Sequence, residues 1–295
     1  MRIIPACVDF VKCVWYNLVM YKCEEITEKL AAGIDAALKK VDPDVVRLLE
    51  KARAEEDNER AAWALDQIIE NDRVAECTDS YPCQDTGVAM LFVTVGQDAS
   101  FDGSLEEALQ EGVRRGYAEA RKSIAHPLTR LNTGDNTPAV VYYELVTGAG
   151  LDVKFLAKGA GSENMGGVRM LTPSKGRAGI ISAVTEIVRE AGANPCPPVL
   201  LGVGVGGTMD KAALLSKKAL LRRSGEPSAD AETAALERDI LEAVNALGIG
   251  AQGLGGRHTA LACAAETAYT HIGMLPVAVT VQCHSVRHAH VTFGE

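Results

Sequence analysis

Apolar residues return at intervals of three and four from Glu24 onward. Ile26, Leu30, Ile34 and Leu38 line one face, a spacing that predicts an amphipathic helix. Asp42-Pro43 opens a second helix, since proline suits a first helical position, and Trp63, Ile68 and Ile69 belong to a third. The period changes at Cys77. Beyond it, the runs 89–95, 140–145 and 153–157 read as strands parted by Gly-rich turns. Between the first two, Ser104 followed by Glu107 forms a capping-box start for a helix carrying Leu105, Leu109 and Tyr117. Later helices are expected at 177–190, 209–221, 231–247 and 259–268, buried strands at 198–205 and 277–281, and a surface loop at 222–230. The pattern implies an α+β fold, with mixed β-sheets, packed helices and a helical N-terminal lobe. It shows no internal repeat and no flexible linker, so residues 1–295 read as a single domain, with 1–23 an atypical N-terminal extension.

Composition narrows the class of partner. At 47% apolar and 23% charged the chain is an ordinary globular one. A net charge of −9 argues against nucleic acid or an anionic membrane as partner, since either attracts a basic surface. The apolar segment 3–21 resembles a membrane span, but Asp9 and Lys12 lie in its middle. A charge at the centre of a span costs about 2.5–3.5 kcal/mol, so a strand, a packing segment or a start foreign to the natural chain is expected instead. No uninterrupted apolar core leads to a small-residue cleavage site, which excludes a secretory signal. Eight cysteines without regular spacing do not form the framework of a small secreted domain and point to the reducing cytoplasm, where thiols can serve as metal ligands.

Two glycine patterns invite a dinucleotide reading. Gly202-Val-Gly204-Val-Gly206-Gly207 follows an apolar run and precedes a helix, the context of a phosphate-binding turn. The second strand ending in Asp or Glu is missing, because the helix runs into Arg222-Arg223 and a polar loop. A second match, Gly248-Ile-Gly250-Ala-Gln-Gly253, follows a helix instead. Close packing, or backbone N–H groups near another anion, accounts for such glycines without a cofactor.

Three cysteines stand apart. Cys83 lies in Tyr-Pro-Cys-Gln-Asp-Thr-Gly, Cys196 in Asn-Pro-Cys-Pro-Pro, and Cys283 in Val-Gln-Cys-His-Ser at a strand end. Proline fixes the backbone and removes donors, which suits a loop that presents a sulfur. A lone cysteine is otherwise a small buried hydrophobe, the reading kept for Cys263 in its Ala-rich segment and for Cys7, Cys13, Cys23 and Cys77. No C-x-x-C pair occurs, which disfavours structural zinc and ferredoxin-type clusters.

The chain resembles the α component of two-subunit class I fumarate hydratases, to which L-tartrate dehydratase is closely related. The resemblance covers about 24–290. It is carried by Pro-Cys-Gln-Asp-Thr-Gly (82–87), Asn-Thr-Gly-Asp-Asn-Thr-Pro-Ala (132–139), Ala-Lys-Gly-Ala-Gly-Ser-Glu-Asn (157–164), Cys-Pro-Pro (196–198), Gly-Ile-Gly-Ala-Gln-Gly (248–253) and Gln-Cys-His (282–284). It implies a [4Fe–4S] cluster held by Cys83, Cys196 and Cys283. With three thiolates, one iron stays open as a Lewis acid toward a substrate hydroxyl. It further implies substrate contacts from Gln84, Asp85, Arg121, Gly161 and His271, with Asp85 and His271 as the catalytic candidates within the chain. Where the family often has three glycines, this chain reads Gly159-Ala160-Gly161.

The expected activity is reversible hydration of fumarate to L-malate, with L-tartrate dehydration as the alternative. In one-chain members of the family a further domain follows, bringing more arginines, a lysine and a threonine thought to act as base. None lies within these residues, so a fumarase-type β subunit, in an α2β2 assembly, is the expected partner, with a small dicarboxylate as substrate. Two readings from other classes compete: a dinucleotide-dependent oxidoreductase built on the Gly202 turn, and a non-catalytic scaffold with buried cysteines. Arg287-His288-Ala-His290, close to the chain end, is expected to be exposed.

Overall fold

Two four-stranded mixed sheets, each with helices on it, make up the computed structural model, which describes residues 20–293. Most of the expected N-terminal extension, with Cys7 and Cys13, lies outside the described residues. In chain order the elements are β1 (Met20–Tyr21), α1 (Cys23–Lys39), α2 (Pro43–Glu55), α3 (Glu59–Cys77), β2 (Val88–Gly96), β3 (Ser100–Phe101), α4 (Leu105–Gly116), β4 (Val140–Val146) and β5 (Leu151–Lys158). Then follow α5 (Ala160–Glu163), β6 (Gly167–Leu171), α6 (Gly176–Ala191), β7 (Val199–Gly206), α7 (Met209–Ala219), α8 (Ala231–Asn245), β8 (Ala260–Ala268), β9 (Leu275–Gln282) and β10 (His288–Phe293).

The first sheet has the order β10-β5-β2-β4 and the second β6-β9-β7-β8. In each, one parallel pair (β2 with β4, β7 with β8) is completed by antiparallel neighbours. The three N-terminal helices form as their periodicity predicts, and divide between two cores. Ile26, Leu30, Ile34 and Leu38 of α1 are fully buried with α4 against the first sheet. The apolar sides of α2 and α3 instead meet Leu200, Leu261 and Val286 of the second. Trp63 lies in α3 but faces solvent, because Ala61, Ala64, Leu65 and Ile68 occupy the packed side. The Ser104 cap is present: its Oγ accepts from Glu107 N at 3.2 Å.

One predicted element changes type, and β6 and β10 are strands that the spacing did not predict. The segment 259–268, expected as a helix, is strand β8, parallel to β7 and buried over most of its length. Its alanines favour helix in isolation, but small side chains are what a strand needs between α8 on one face and α2 with α7 on the other. Cys263 therefore sits in a strand; it is buried, and desolvation pushes its thiol far up.

The dinucleotide reading also gives way here. Gly202 and Gly204 lie inside β7, where a Cβ would come within 2.0 Å of the Ser216 and Ala212 carbonyl oxygens of α7. The glycines let helix and strand touch backbone to backbone and leave no room for a phosphate.

Candidate functional site

Strand register decides which sequence-distant loops meet. Val88 pairs with Lys158 and His288 with Leu156, so the start of β2, the end of β5 and the start of β10 share one end of the first sheet. Leu200 pairs with Gln282, so the start of β7 and the end of β9 share one end of the second. Residues 283–287 run directly from β9 to β10 and join these two ends. The loops before β2, after β5, before β7 and after β9 thereby come together, and they carry Cys83, Gly161, Cys196 and Cys283.

Each cysteine loop is fixed from below. Just past the end of α3, Asp79 lies in the left-handed region, with Ser80 N donating to Ala75 O at 2.9 Å. Asn71 of the same helix then donates through Nδ2 to the Pro82 carbonyl at 2.9 Å. Asp85 N approaches the Cys83 sulfur at 3.4 Å. Cys196 itself has φ of +55°, unusual for a side chain other than glycine, and its N–H donates to Ala193 O at 3.1 Å. The next carbonyl, of Pro197, accepts from both Gln252 N at 2.7 Å and Gln252 Nε2 at 3.0 Å. This explains the second glycine pattern. A Cβ at Gly250 would fall within 1.5 Å of Gly255 O, so the glycines fold a turn that clamps the Cys196 loop. Around Cys283, Val286 O accepts from Asp42 N at 3.1 Å, which ties the loop to the start of α2.

Cys83 lies near enough to both other thiols to act on each. Burial pushes Cys196 up, and the charge of Cys83 pushes it further. Burial pushes Cys283 up, Cys83 adds to this, and the cations Arg287 and Lys158 oppose it. Among the described residues no three His, Cys, Asp or Glu side chains close around a single metal ion. A multi-iron cluster takes its thiolates on different irons, so its ligands need not meet at one point. Three thiols on three rigid loops match that donor set.

Other candidates cluster here too. The Asp85 carboxylate accepts from Gly87 N at 2.9 Å and Ala160 N at 2.7 Å, so it binds the 83–87 loop to the 159–164 loop. Gln84 is exposed beside Cys83. A Cβ on Gly161 would meet only Asn194 O, at 3.8 Å, so open space lies over it. The Arg121 carbonyl accepts from Thr86 Oγ1 at 2.7 Å and Asn136 Nδ2 at 2.9 Å, while its exposed guanidinium has no partner among the described residues.

His271 lies elsewhere. It follows β8 in the exposed turn before β9, and its Nδ1 accepts from Gly273 N at 3.0 Å. The eight residues of β9 separate it from Cys283, about 26 Å at roughly 3.3 Å per residue. Within one copy of the chain it cannot touch a molecule bound at the cysteines.

Sequence reasoning missed the buried polar lining. Arg287, expected at the surface, is 1% exposed, and its Nε and Nη1 have no partner among the described residues. It enters β10 on a buried face, whereas His288 and His290 beside it pair with Asp42 and Asp152. Gln282, His284 and Ser285 also carry buried polar atoms without partners among the described residues. Leaving such a group unpaired costs about 1–3 kcal/mol, and more if it is charged. Four such residues fall within the six from 282 to 287, around Cys283. Lys158 is buried as well. Its Nζ donates to Ser162 Oγ at 2.7 Å, and burial brings it down to about 8. The only sequence cue to this lining was proximity to the Gln-Cys-His motif.

A family described as fumarate hydratase (fumerase) matches residues 27–292. "Putative L(+)-tartrate dehydratase subunit alpha" of Methanocaldococcus jannaschii is 42% identical over 255 residues, 83% of this chain and 90% of that protein. "L(+)-tartrate dehydratase subunit alpha" of Escherichia coli (strain K12) is 31% identical over 284 residues, covering 92% of this chain and 93% of its own length. On the extent of these matches, the chain belongs to the fumarate hydratase (fumerase) family.

Proposed function

We propose that this chain is the cluster-holding α subunit of a hydro-lyase, and that Cys83, Cys196 and Cys283 hold one [4Fe–4S] cluster. The observation that carries the reading is the meeting of three loop thiols beside a run of unpartnered buried polar atoms, in a chain of this family. Bound there, the cluster would supply a Lewis acid for the substrate hydroxyl through an iron without a cysteine.

The residues of the chain supply the rest of the pocket. Arg121, its backbone locked and its guanidinium unpaired, suits a substrate carboxylate by its bidentate fork. Gly161 leaves space over the loop, and Gln84 offers an exposed amide. Asp85 spends both oxygens on backbone N–H groups, so it holds the loops in register and is a poor candidate for the carbon base. That base, with the remaining carboxylate contacts, falls to a β subunit. The partner surface is a turn following Arg121, where Leu128 and Leu131 are 87% and 72% exposed beside Lys122 and Arg130. The turn is closed by His126 N donating to Leu131 O at 2.9 Å, so the leucines are held out to meet another chain. His271 joins such a site only from a second copy, as an α2β2 assembly allows.

The substrate is a four-carbon dicarboxylate: fumarate, hydrated reversibly to L-malate, is the first reading. L-tartrate is the second, favoured by the names of the two relatives described above. No helix of the described residues is long and apolar enough to cross a membrane, and a thiolate-held cluster suits the reducing cytoplasm. Anaerobic reconstitution of the chain, followed by addition of the β subunit and assay on fumarate and L-tartrate, tests the reading. Cluster absorption without turnover in the α chain, and turnover with β present, is expected. A chain that takes up no iron and sulfide contradicts it.

A further inference from the structure

The two arginines near the cysteines are opposites. Arg121 is exposed and free to meet a solute, whereas Arg287 is sealed in the interior among the largest fully buried side chains. A guanidinium keeps its charge in a protein, so Arg287 cannot escape desolvation by losing a proton. Its backbone is fixed on both sides. Its carbonyl accepts from Ala157 N at 3.1 Å, and the following His288 N donates to Asp42 Oδ1 at 3.3 Å. The β10–β5 register sets it opposite Ala157, on the face of Phe155 and Tyr117, while Lys158 projects from the other face. Both cations act on the Cys283 thiol from these two sides. The Nε and Nη1 groups of Arg287 have no acceptor among the described residues, and neither do the polar atoms of its loop neighbours Gln282, His284 and Ser285.

We propose that Arg287 is a positioning residue for the iron–sulfur cluster, donating its Nε–H and Nη1–H to sulfur atoms held at Cys283. With Lys158, which also pairs with Glu163 at 3.6 Å, it offsets the negative charge of the Cys283 thiolate. The proposal rests on the cluster reading given above. Its seclusion separates it from substrate binding: a dicarboxylate arriving from solvent meets Arg121, and only a group seated inside meets Arg287. Hydrogen bonds to cluster sulfurs favour the more reduced, more negative state, so they raise the reduction potential.

The test is the midpoint potential of the reconstituted cluster in the parent, Arg287→Gln and Arg287→Lys, with melting of each apo chain measured alongside. Arg287→Gln should bind iron and sulfide yet shift the reduced-to-oxidised ratio about tenfold toward oxidised, about 59 mV for one electron. Arg287→Lys, which keeps the charge and loses the fork, should fall between. Parent-like potentials in variants that fold and load overturn the proposal. So does loss of the apo fold in both, which would make Arg287 a core residue only. A parent chain that loads no cluster overturns the cluster reading itself, and this inference with it.

Discussion

The two ends of the second sheet are built from the same strands and differ in nearly everything else. At one end lie Cys196, Cys283 and Gln282, backed by buried polar atoms without a partner among the described residues. At the other, the turn between β8 and β9 exposes Tyr269 and Ile272 almost fully, with His271 exposed between them. Unpaired atoms in the interior ask for a ligand; unpaired atoms in water do not. The contrast marks a binding site more sharply than any single residue type, because a histidine occurs at both ends and only His284 is sealed. Burial pulls His284 down to about 4, so it stays neutral there.

The largest effect expected from breaking this contrast is at the exposed arginine of the cysteine end. Arg121→Ala in the assembled enzyme should lower kcat/KM by about 1.5–3 kcal/mol for each charge-assisted hydrogen bond lost, at least tenfold in rate. Cluster absorption should not change. A fall of less than twofold would take Arg121 out of the pocket.

Beneath the Cys83 loop, Asp72 of α3 is buried with Oδ2 unpartnered, and burial raises its carboxyl to about 6. The folded chain therefore holds this proton more tightly than the unfolded one. Stability is full below about pH 4, declines as pH rises toward 6, and stays lower above. A rise of about two pH units corresponds to roughly 3 kcal/mol at neutral pH, as an upper bound. Asp72→Asn should remove that slope and raise the melting temperature at pH 7.5 relative to pH 4.5. Parallel pH profiles for the two proteins would contradict the burial assignment.

A smaller effect is expected at the clamp on the Cys196 loop. Gln252→Ala removes the side-chain hydrogen bond to Pro197 O and keeps the strained φ of +53°. A cost of about 1 kcal/mol follows, or roughly 2–4 °C in Tm. Gln252→Gly, which relieves the strain, should lose less. The smallest effect belongs to the opposite end of the sheet. His271→Ala and Ile272→Ser should leave iron content and apo stability within about 0.5 kcal/mol of the parent. A loss of cluster from either would mean that the two ends communicate.

Much of the fold was legible because periodicity is a local signal. The buried stripe of α1, the Ser104 cap and the strands at 89–95 and 153–157 all follow from spacing. Where local preference and packing disagree, packing prevails, as in the Ala-rich β8. The candidate cysteines were legible from proline neighbours and motif wording, but their meeting depends on strand register, which joins residues up to 200 positions apart. Arg287 was misjudged because closeness to a chain end suggests exposure, and only the pairing of β10 with β5 buries it. His271 stands among the site residues only through the family resemblance, and the extended strand β9 separates it from Cys283 within one chain.

The central claim is that three loop thiols jointly hold one cluster at one end of this sheet. Its most direct measurement is iron and acid-labile sulfide per chain, with visible absorption, after anaerobic reconstitution of the parent, Cys83→Ser, Cys196→Ser, Cys283→Ser and Cys263→Ser. The account predicts about four irons and four sulfides in the parent and in Cys263→Ser, and loss of the intact cluster in each of the other three. An undiminished cluster in any of those three, or a loss in Cys263→Ser that matches theirs, would contradict it.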